Sequence, residues 1–162
     1  MYLSRPFRLY TCITKIPQMF EPKVYKDFPR KGVNFIDACE YFSHPENLYN
    51  IAATIATKHI RPDYVVGIEA RGFIVATVYS TSQNVPMLCA RKKGKLPGDT
   101  VSEEYQKEYG TDVIEMQSID LTNKRVLIVD DVKATGGTIE AVTKLCKKLG
   151  ASDIDTFAVF TV

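Results

Sequence analysis

The segment from residue 126 to residue 149 constrains the fold of this chain more than any other part of its sequence. It begins with an apolar run at residues 126–129, which is the clearest predicted strand of the chain. A short turn rich in Gly and Thr follows, and then an amphipathic helix that ends before Gly150. The apolar stripe of this helix consists of Ile139, Val142, Leu145, Cys146 and Leu149. A buried strand that leads directly into a helix is typical of parallel α/β folds.

Other segments repeat this alternation of strands and helices. Further strands are predicted at residues 64–68, 85–90 and 154–162. The run at residues 64–68 has no polar alternation, as expected of a strand buried on both faces. Further helices are predicted at residues 73–82 and after a capping box at residues 43–46. We therefore predict an α/β fold, with one mainly parallel, twisted sheet flanked by helices on both faces.

The predicted topology also indicates where a functional site lies. In open sheets of this kind, ligands bind beyond the carboxyl ends of the strands. Functional side chains are therefore expected just after Ile68, Ala90 and Val129.

The composition excludes several classes of protein. The 162 residues include 45% hydrophobic and 25% charged residues, as expected of one globular domain. No apolar run approaches the ~20 residues that cross a bilayer, and a net charge of +2 is too balanced to indicate nucleic-acid binding. The four cysteines are far apart and form no CxxC pattern, which indicates reduced thiols in a cytoplasmic protein.

Residues 1–26 are predicted to form an N-terminal arm outside the domain. Arg5, Arg8 and Lys15 precede the first acid, Glu21, and this composition resembles a weak organellar transit segment. We favour a poorly ordered arm, because Pro17, Pro22 and Pro29 argue against a long helix before residue 30.

The turn after the strand at residues 126–129 has the pattern of a phosphate-binding loop. Glycines let a backbone approach a ligand closely, and the first N–H groups of a helix favour an anion. The candidate phosphate ligands are Ala134, Thr135, Gly136, Gly137 and Thr138. Asp130 and Asp131 suit either the hydroxyl groups of a ribose or a bound cation. A Walker B segment and a receiver domain fit less well, because the chain lacks G-x-x-x-x-G-K-[ST] and has too few residues after the acidic pair.

Residues 126–140 resemble the phosphoribosyl pyrophosphate (PRPP) binding motif of the type I phosphoribosyltransferases. Three further segments resemble the adenine-specific members of that family, at residues 67–73, 91–98 and 108–110. Residues 27–29, together with Gly32 and Phe35, are similar to the family's small N-terminal base-binding segment.

The resemblance covers residues 27–162 and implies a phosphoribosyltransferase domain with a flexible catalytic loop at about residues 98–115. It implies the transfer of a phosphoribosyl group from PRPP to adenine, giving AMP and pyrophosphate in purine salvage. The implied cofactor is Mg²⁺, carried by PRPP without a direct protein ligand. The implied assembly is a cytoplasmic homodimer, with no nucleic-acid or membrane partner.

Cationic residues after two strands match the family's pyrophosphate contacts. Arg71 follows one strand end, and Arg91 and Lys95 follow the next. Guanidinium groups suit bidentate phosphate binding, so the resemblance assigns pyrophosphate binding to all three residues and a catalytic role to both arginines. For Lys92 and Lys93, the alternative that they are ordinary surface charges stays open.

The catalytic loop carries a third catalytic candidate. Glu108 matches the loop carboxylate that moves a proton at the purine ring, and Tyr109 matches an aromatic residue that seals the site. The resemblance also implies that Phe35 stacks on the base, with core packing as an open alternative. Backbone contacts to the base are implied for Val33, Glu69 and Ala70.

Three features depart from the family pattern. Ile36 stands where an arginine often follows the aromatic residue, and Lys133 stands where an apolar residue is common. The chain ends at Val162, where typical members continue, which leaves the completeness of one site wall and of a dimer surface open. A transferase for hypoxanthine, guanine or xanthine and a non-catalytic PRPP-sensing regulator therefore remain as alternatives.

Overall fold

The computed structural model of the protein describes residues 21–107 and 110–162, which form eight strands and four helices. The strands are β1 (Val24–Lys26), β2 (Asn34–Ile36), β3 (Tyr64–Ile68), β4 (Met87–Lys92), β5 (Thr100–Lys107), β6 (Gly110–Gln117), β7 (Arg125–Lys133) and β8 (Asp153–Thr161). The helices are α1 (Ala38–Phe42), α2 (Pro45–Lys58), α3 (Gly72–Gln83) and α4 (Gly137–Lys148). None of these four helices is long and apolar enough to cross a membrane.

Six strands form the central sheet, in the order β5-β6-β4-β3-β7-β8. β4, β3, β7 and β8 run parallel, and Val66 of β3 lies opposite Leu88 on one side and Ile128 on the other. This arrangement confirms the predicted mainly parallel α/β sheet. β5 and β6 form an antiparallel hairpin, and β6 also pairs antiparallel with β4.

The hairpin occupies most of the segment that we expected to be a loop at about residues 98–115. Eight consecutive residues of β5 pair with eight residues of β6, so two paired strands occupy this segment, and its flexibility stays a prediction. The half-buried residues Val101, Glu103 and Tyr105 alternate with exposed ones. This period of two is typical of a strand, but the acidic composition concealed it.

The sheet has a hydrophobic core on each face, because alternate side chains of a strand point to opposite sides. Val66 and Ile128 belong to the core that α4 covers. Val65 and Leu127 belong to the core that α2 and α3 cover. All four side chains are buried, so β3 is covered on both faces as predicted, and β7 is covered in the same way.

Helix α3 packs very close to β3. A Cβ atom on Gly67 would lie 2.8 Å from the Cβ atom of Ala76 and 3.1 Å from the carbonyl oxygen of Gly72. Gly67 therefore allows the helix to lie directly on the strand. This packing fixes the start of α3 at the carboxyl end of β3.

A small two-stranded hairpin precedes the sheet. β1 and β2 pair antiparallel, with Tyr25 opposite Phe35. Residues 24–26, which the predicted boundary assigns to the N-terminal arm, form β1 of this hairpin. Residues 1–20 of the predicted arm lie outside the described residues.

The capping box predicted at residues 43–46 does not form. His44 is the N-cap of α2 and makes no side-chain cap hydrogen bond within the described residues. Ser43 instead ends α1, and its hydroxyl donates to the carbonyl oxygen of Glu40 at 2.6 Å. The reason is that α1, a helix the sequence pattern did not predict, occupies the preceding residues.

Candidate active site

Three strand ends meet at one edge of the sheet, as the topology predicts. Ile68 of β3 lies opposite Ala90 of β4, and Gly67 lies opposite Val129 of β7. The segments that follow these strands are therefore neighbours. We call residues 69–71 and 91–98 the arginine loops, and residues 134–138 the phosphate loop.

Arg71 connects two of the predicted subsites. Its Nε atom lies 2.7 Å from Oδ2 of Asp131, although Oδ2 has no well-aligned hydrogen-bond donor among the described residues. The guanidinium carbon lies 5.7 Å from the centroid of the Phe35 ring, within the range of a cation–π contact. The structure thus brings together residues that the resemblance assigns to pyrophosphate, ribose and base.

Asp130 and Asp131 lie within β7 rather than after it, because β8 pairs with β7 as far as Lys133. Asp131 is 5% exposed, and its N–H donates to Oδ1 of Asp130 at 2.9 Å. Burial, and then the charge of Asp131, raises the pKa of Asp130 to about 7. Asp130 is therefore mostly neutral below that pH.

Gly72 is a functional position that the sequence pattern did not single out. A Cβ atom there would lie 2.9 Å from the carbonyl oxygen of Val129 and 3.0 Å from Oδ1 of Asp130. Only glycine lets the first turn of α3 approach the end of β7 this closely. The close approach places Arg71 beside Asp131. The available signal was a glycine directly after an arginine at a predicted strand-to-helix turn.

Arg91 is held by Glu69 and by the loop that follows β4. Its Nη2 donates to Oε1 of Glu69 at 2.9 Å, and its Nη1 donates to the carbonyl oxygen of Lys95 at 2.9 Å. The hydrogen bond from Arg91 lowers the pKa of Glu69. The resemblance implies that the backbone of Glu69 contacts the base. Its N–H group, however, donates to the carbonyl oxygen of Ala90 within the sheet. Ala70, which a cis peptide bond joins to Glu69, is exposed.

Glu115 of β6 supports the same loop. It is 5% exposed, and its Oε1 accepts hydrogen bonds from the N–H groups of Lys95 at 3.0 Å and Leu96 at 3.1 Å. Burial opposes its ionisation, but backbone N–H groups of Gly94, Leu96 and Lys95 hold its pKa below the usual range. Glu115 therefore fixes the backbone whose carbonyl group Arg91 contacts.

The phosphate loop depends on backbone conformation. Gly136 is the N-cap of α4 with a φ of 85°, a conformation that favours glycine. Ala134 and Thr135 are exposed, and the Gly137 N–H lies 3.5 Å from Oγ1 of Thr135. Thr138 lies in the first turn of the helix. The predicted phosphate ligands thus surround the N-terminus of α4, where an anion is favoured.

Lys133 lies beside the phosphate loop. It ends β7, and its carbonyl oxygen accepts a hydrogen bond from the Val162 N–H at 3.1 Å. Its Cε atom lies 3.2 Å from the position that a Cβ atom on Gly136 would take. The departure from the family pattern therefore brings a positive side chain close to the loop.

The N-terminal hairpin carries the candidates for base binding. The half-buried ring of Phe35 meets the ring of Phe28 edge to face, with 5.0 Å between the centroids. Val33 is exposed, but its N–H donates to the carbonyl oxygen of Arg30 and its carbonyl oxygen accepts from the Phe28 N–H. The Phe35 ring therefore contacts both Phe28 and the guanidinium group of Arg71.

The β5–β6 hairpin rests on α4. Oε1 of Glu103 lies 3.3 Å from Nζ of Lys144, and Oε2 lies 2.6 Å from Nζ of Lys148. At the start of the helix, a Cβ atom on Gly137 would lie 3.1 Å from the carbonyl oxygen of Gln106. The hairpin is thus attached to the helix that the phosphate loop begins.

Glu108 and Tyr109 lie outside the described residues. In the sequence they lie between Lys107, the last residue of β5, and Gly110, the first residue of β6, which pair with each other. Their roles stay predictions from the resemblance.

Within residues 21–107 and 110–162, no three or more His, Cys, Asp or Glu side chains cluster closely enough to hold a metal ion. Asp130 and Asp131 precede the phosphate loop in the chain, and Nε of Arg71 lies 2.7 Å from one carboxylate oxygen of Asp131. Mg²⁺ typically keeps several waters and binds one or two carboxylates together with substrate phosphates. The residues present therefore fit an ion that arrives with a phosphate ligand.

Comparisons with known proteins agree with this geometry. A family model described as a phosphoribosyl transferase domain matches residues 40–162. The adenine phosphoribosyltransferase of Caenorhabditis elegans is 40% identical over 140 residues, covering 83% of this chain and 75% of that protein. The enzyme of that name from Natranaerobius thermophilus is 44% identical over 126 residues, covering 76% and 74%. That from Mycobacterium tuberculosis is 41% identical, covering 78% of this chain but only 60% of its relative.

Solved structures give the same result. The adenine phosphoribosyltransferase of Saccharomyces cerevisiae, in complex with an imino-altritol bisphosphate and adenine, superimposes with a TM-score of 0.80 at 32% identity. The match covers 87% of this chain and 84% of that one. The Giardia lamblia enzyme in complex with 9-deazaadenine gives a TM-score of 0.78 at 32% identity, covering 87% and 93%.

Proposed function

Because the chain belongs to the phosphoribosyltransferase family, we propose that it transfers the phosphoribosyl group of PRPP to adenine, giving AMP and pyrophosphate. In this reaction the bond from the ribose to pyrophosphate breaks, a bond from the ribose to a purine nitrogen forms, and that nitrogen loses a proton. Relatives named for adenine, at 40% and 44% identity, support the choice of base.

The observation that carries the proposal is the contact of Arg71 with both Asp131 and Phe35. An acceptor for ribose hydroxyls and an aromatic ring for a purine must lie a few ångströms apart, because one bond joins the base to the sugar in AMP. Arg71 lies 2.7 Å from the carboxylate oxygen and 5.7 Å from the ring centroid, so it connects two such groups.

Arg71, Arg91 and Lys95 bind the departing pyrophosphate. Negative charge develops on this group as its bond to the ribose breaks, so cations aimed at it stabilise the transition state more than the bound substrate. Mg²⁺, when it binds with PRPP, supplies further positive charge at the same group.

The other side of the site binds the rest of PRPP. Residues 134–138 hold the 5′-phosphate with their N–H groups and with the N-terminus of α4. The buried carboxylate of Asp131 accepts hydrogen bonds from a ribose hydroxyl, and Asp130 stands next to it. Because each hydroxyl donates to a fixed acceptor, the sugar is oriented for attack by the base.

The base lies against Phe35, with Val33, Glu69 and Ala70 at its edge. Glu108 takes the proton that the purine loses, and Tyr109 helps to exclude water from the closed site. Ile36 does not supply the positive charge that many relatives carry after the aromatic residue, and it is the position to examine if the base preference differs from adenine.

The family resemblance also supports a proposal for the assembly and the location. We propose a homodimer in the cytoplasm, in which the chain acts in purine salvage. Sedimentation equilibrium of the purified protein measures the assembly directly, and a mass of one chain would contradict this part of the proposal.

A screen of nucleobases tests the function. The protein is incubated with PRPP, Mg²⁺ and adenine, hypoxanthine, guanine or xanthine, and nucleotide products are separated by chromatography. We expect AMP formation at least about tenfold faster than any other product, because a site with polar groups matched to one base rejects the others. Faster formation of another nucleotide would show a sister transferase, and calorimetric binding of PRPP without any product would show a sensor.

A further inference from the structure

The side chain of Glu69 has a task that the family resemblance does not assign to it. Its Oε1 accepts from Arg91 Nη2 at 2.9 Å and its Oε2 accepts from the N–H of Lys92 at 3.0 Å, so both carboxylate oxygens bind β4. Its own N–H donates to the carbonyl oxygen of Ala90 at 2.9 Å. Glu69 is therefore fixed to the neighbouring strand at three points, and its side chain is only 18% exposed.

Arg91 receives its orientation from these contacts. A guanidinium group has five N–H donors in a rigid plane, so two hydrogen bonds define the direction of the others. Glu69 binds Nη2 and the carbonyl oxygen of Lys95 binds Nη1, while Nε is buried without a partner among the described residues. The two terminal nitrogens each keep one N–H that these contacts do not use.

We propose that Glu69 is a positioning residue, which aims the guanidinium group of Arg91 at the pyrophosphate group of PRPP. This inference rests on the proposed function, and it adds a role for the side chain of Glu69 to the backbone contact proposed there. A charged hydrogen bond between two half-buried groups has a stronger orienting effect than a contact in open water. Glu69 acts through Arg91 and does not itself touch the reacting atoms.

The positioning role comes at an electrostatic cost. The carboxylate of Glu69 cancels one positive charge near a highly anionic substrate, so a site that needed only positive charge would do better without it. If the negative charge of Glu69 were its only effect on the site, neutralising it would tighten the binding of PRPP. A residue that orients Arg91 would instead lower turnover when neutralised, because misaligned donors no longer match the developing charge.

A double-mutant cycle of Glu69→Gln and Arg91→Ala separates these cases. In Glu69→Gln we expect kcat to fall about tenfold, with less than a threefold change in KM for PRPP. In the Arg91→Ala background, the same substitution should change kcat less than about twofold, since the residue acts through the missing guanidinium group. Glu69→Asp keeps the charge and should recover part of the lost turnover.

Glu103→Gln is the matched control, because it removes a carboxylate that binds Lys144 and Lys148 rather than Arg91. Its effect should add to that of Arg91→Ala. Equal and additive losses for Glu69→Gln in both backgrounds, or tighter PRPP binding with unchanged kcat, would overturn the positioning role. Circular dichroism checks folding, and Glu69→Asp takes the place of Glu69→Gln in the cycle if the latter unfolds. A folded wild-type protein that forms no nucleotide would overturn the proposed function itself.

Discussion

The two sides of the site achieve their geometry by different means. In the arginine loops, side chains hold other side chains: Arg71 pairs with Asp131, and Arg91 pairs with Glu69. In the phosphate loop, the backbone conformation positions the N–H groups, with Gly136 in a left-handed conformation at the start of α4. A long guanidinium side chain has many rotamers, so it needs a partner to hold one of them, whereas an N–H group at a helix start is already fixed. Side-chain contacts should therefore control the first side and glycine positions the second.

The largest effect is expected where the two sides meet, at Gly72. In Gly72→Val the new Cβ atom would lie 2.9 Å from the carbonyl oxygen of Val129, so the backbone of α3 or of β7 must move. We expect AMP formation to fall at least about 100-fold and stability to fall by about 1–3 kcal/mol, a typical effect of overpacking. Steady-state kinetics and urea unfolding measure the two changes.

Ile74→Val is the control for Gly72→Val. Ile74 lies on the same helix but is 36% exposed, so the smaller side chain should change activity and stability little. A Gly72→Val protein as active as this control would mean that the two sides do not depend on their close approach.

Asp131→Asn tests the contact between the sides with less disturbance of the backbone. The amide keeps the shape but loses the charge that pairs with Arg71 and the acceptor proposed for a ribose hydroxyl. We expect kcat/KM for PRPP to fall about 10- to 100-fold, because the buried charge beside Arg71 is lost and one proposed acceptor oxygen becomes an NH₂ donor. The change in KM for adenine should be smaller.

Asp120→Asn is the control for Asp131→Asn. Asp120 lies before the start of β7, at the opposite end of that strand, and it accepts a hydrogen bond from the Thr122 N–H. Equal kinetics of Asp131→Asn and Asp120→Asn would exclude Asp131 from PRPP binding.

The sequence predicted those strands and helices that depend on a local pattern of apolar residues. The strand at residues 64–68 has the predicted bounds, and the helix predicted at residues 73–82 extends one residue further at each end, as Gly72–Gln83. Both segments are rich in apolar residues, and strands and helices alternate around them in the way that parallel sheets require. The meeting of three strand ends at one edge follows from that topology.

The sequence could not predict contacts between distant residues. Glu69 and Arg91 are 22 positions apart, and only the pairing of β3 with β4 places them together. Gly72 has its role because of Val129 and Asp130, which lie on another strand. The β5–β6 hairpin was missed for a different reason: the segment is rich in acidic residues and has few aliphatic ones, so a solvent-exposed loop explained it equally well.

The raised pKa of Asp130 gives a pH test of the phosphate-loop side. Its value of about 7 lies above the ordinary 3.8, so between these pH values the folded protein keeps a proton that the unfolded chain has lost. Stability should therefore fall as pH rises through this range, by at most about 1.4 kcal/mol per pH unit. Urea unfolding of the wild type and of Asp130→Asn measures the slope, and the variant should lack this contribution. Identical slopes in the two proteins would mean that Asp130 titrates normally.

The smallest effect is expected from Glu103→Gln, which tests whether side-chain contacts also matter next to the phosphate loop. Glu103 binds Lys148 and Lys144, whose hydrogen bonds lower the pKa of its carboxyl group, and so attaches the hairpin to α4. The two lysines are 53% and 62% exposed, so water and salt weaken the contact, and we expect a loss in kcat/KM of only about two- to fivefold. Glu104→Gln removes the same charge from the exposed face of β5 and should have less effect. The difference between the two variants should shrink in 1 M salt, where the Debye length is about 3 Å. If it persists there, shape and not charge holds the hairpin, and the phosphate-loop side depends on packing and backbone alone.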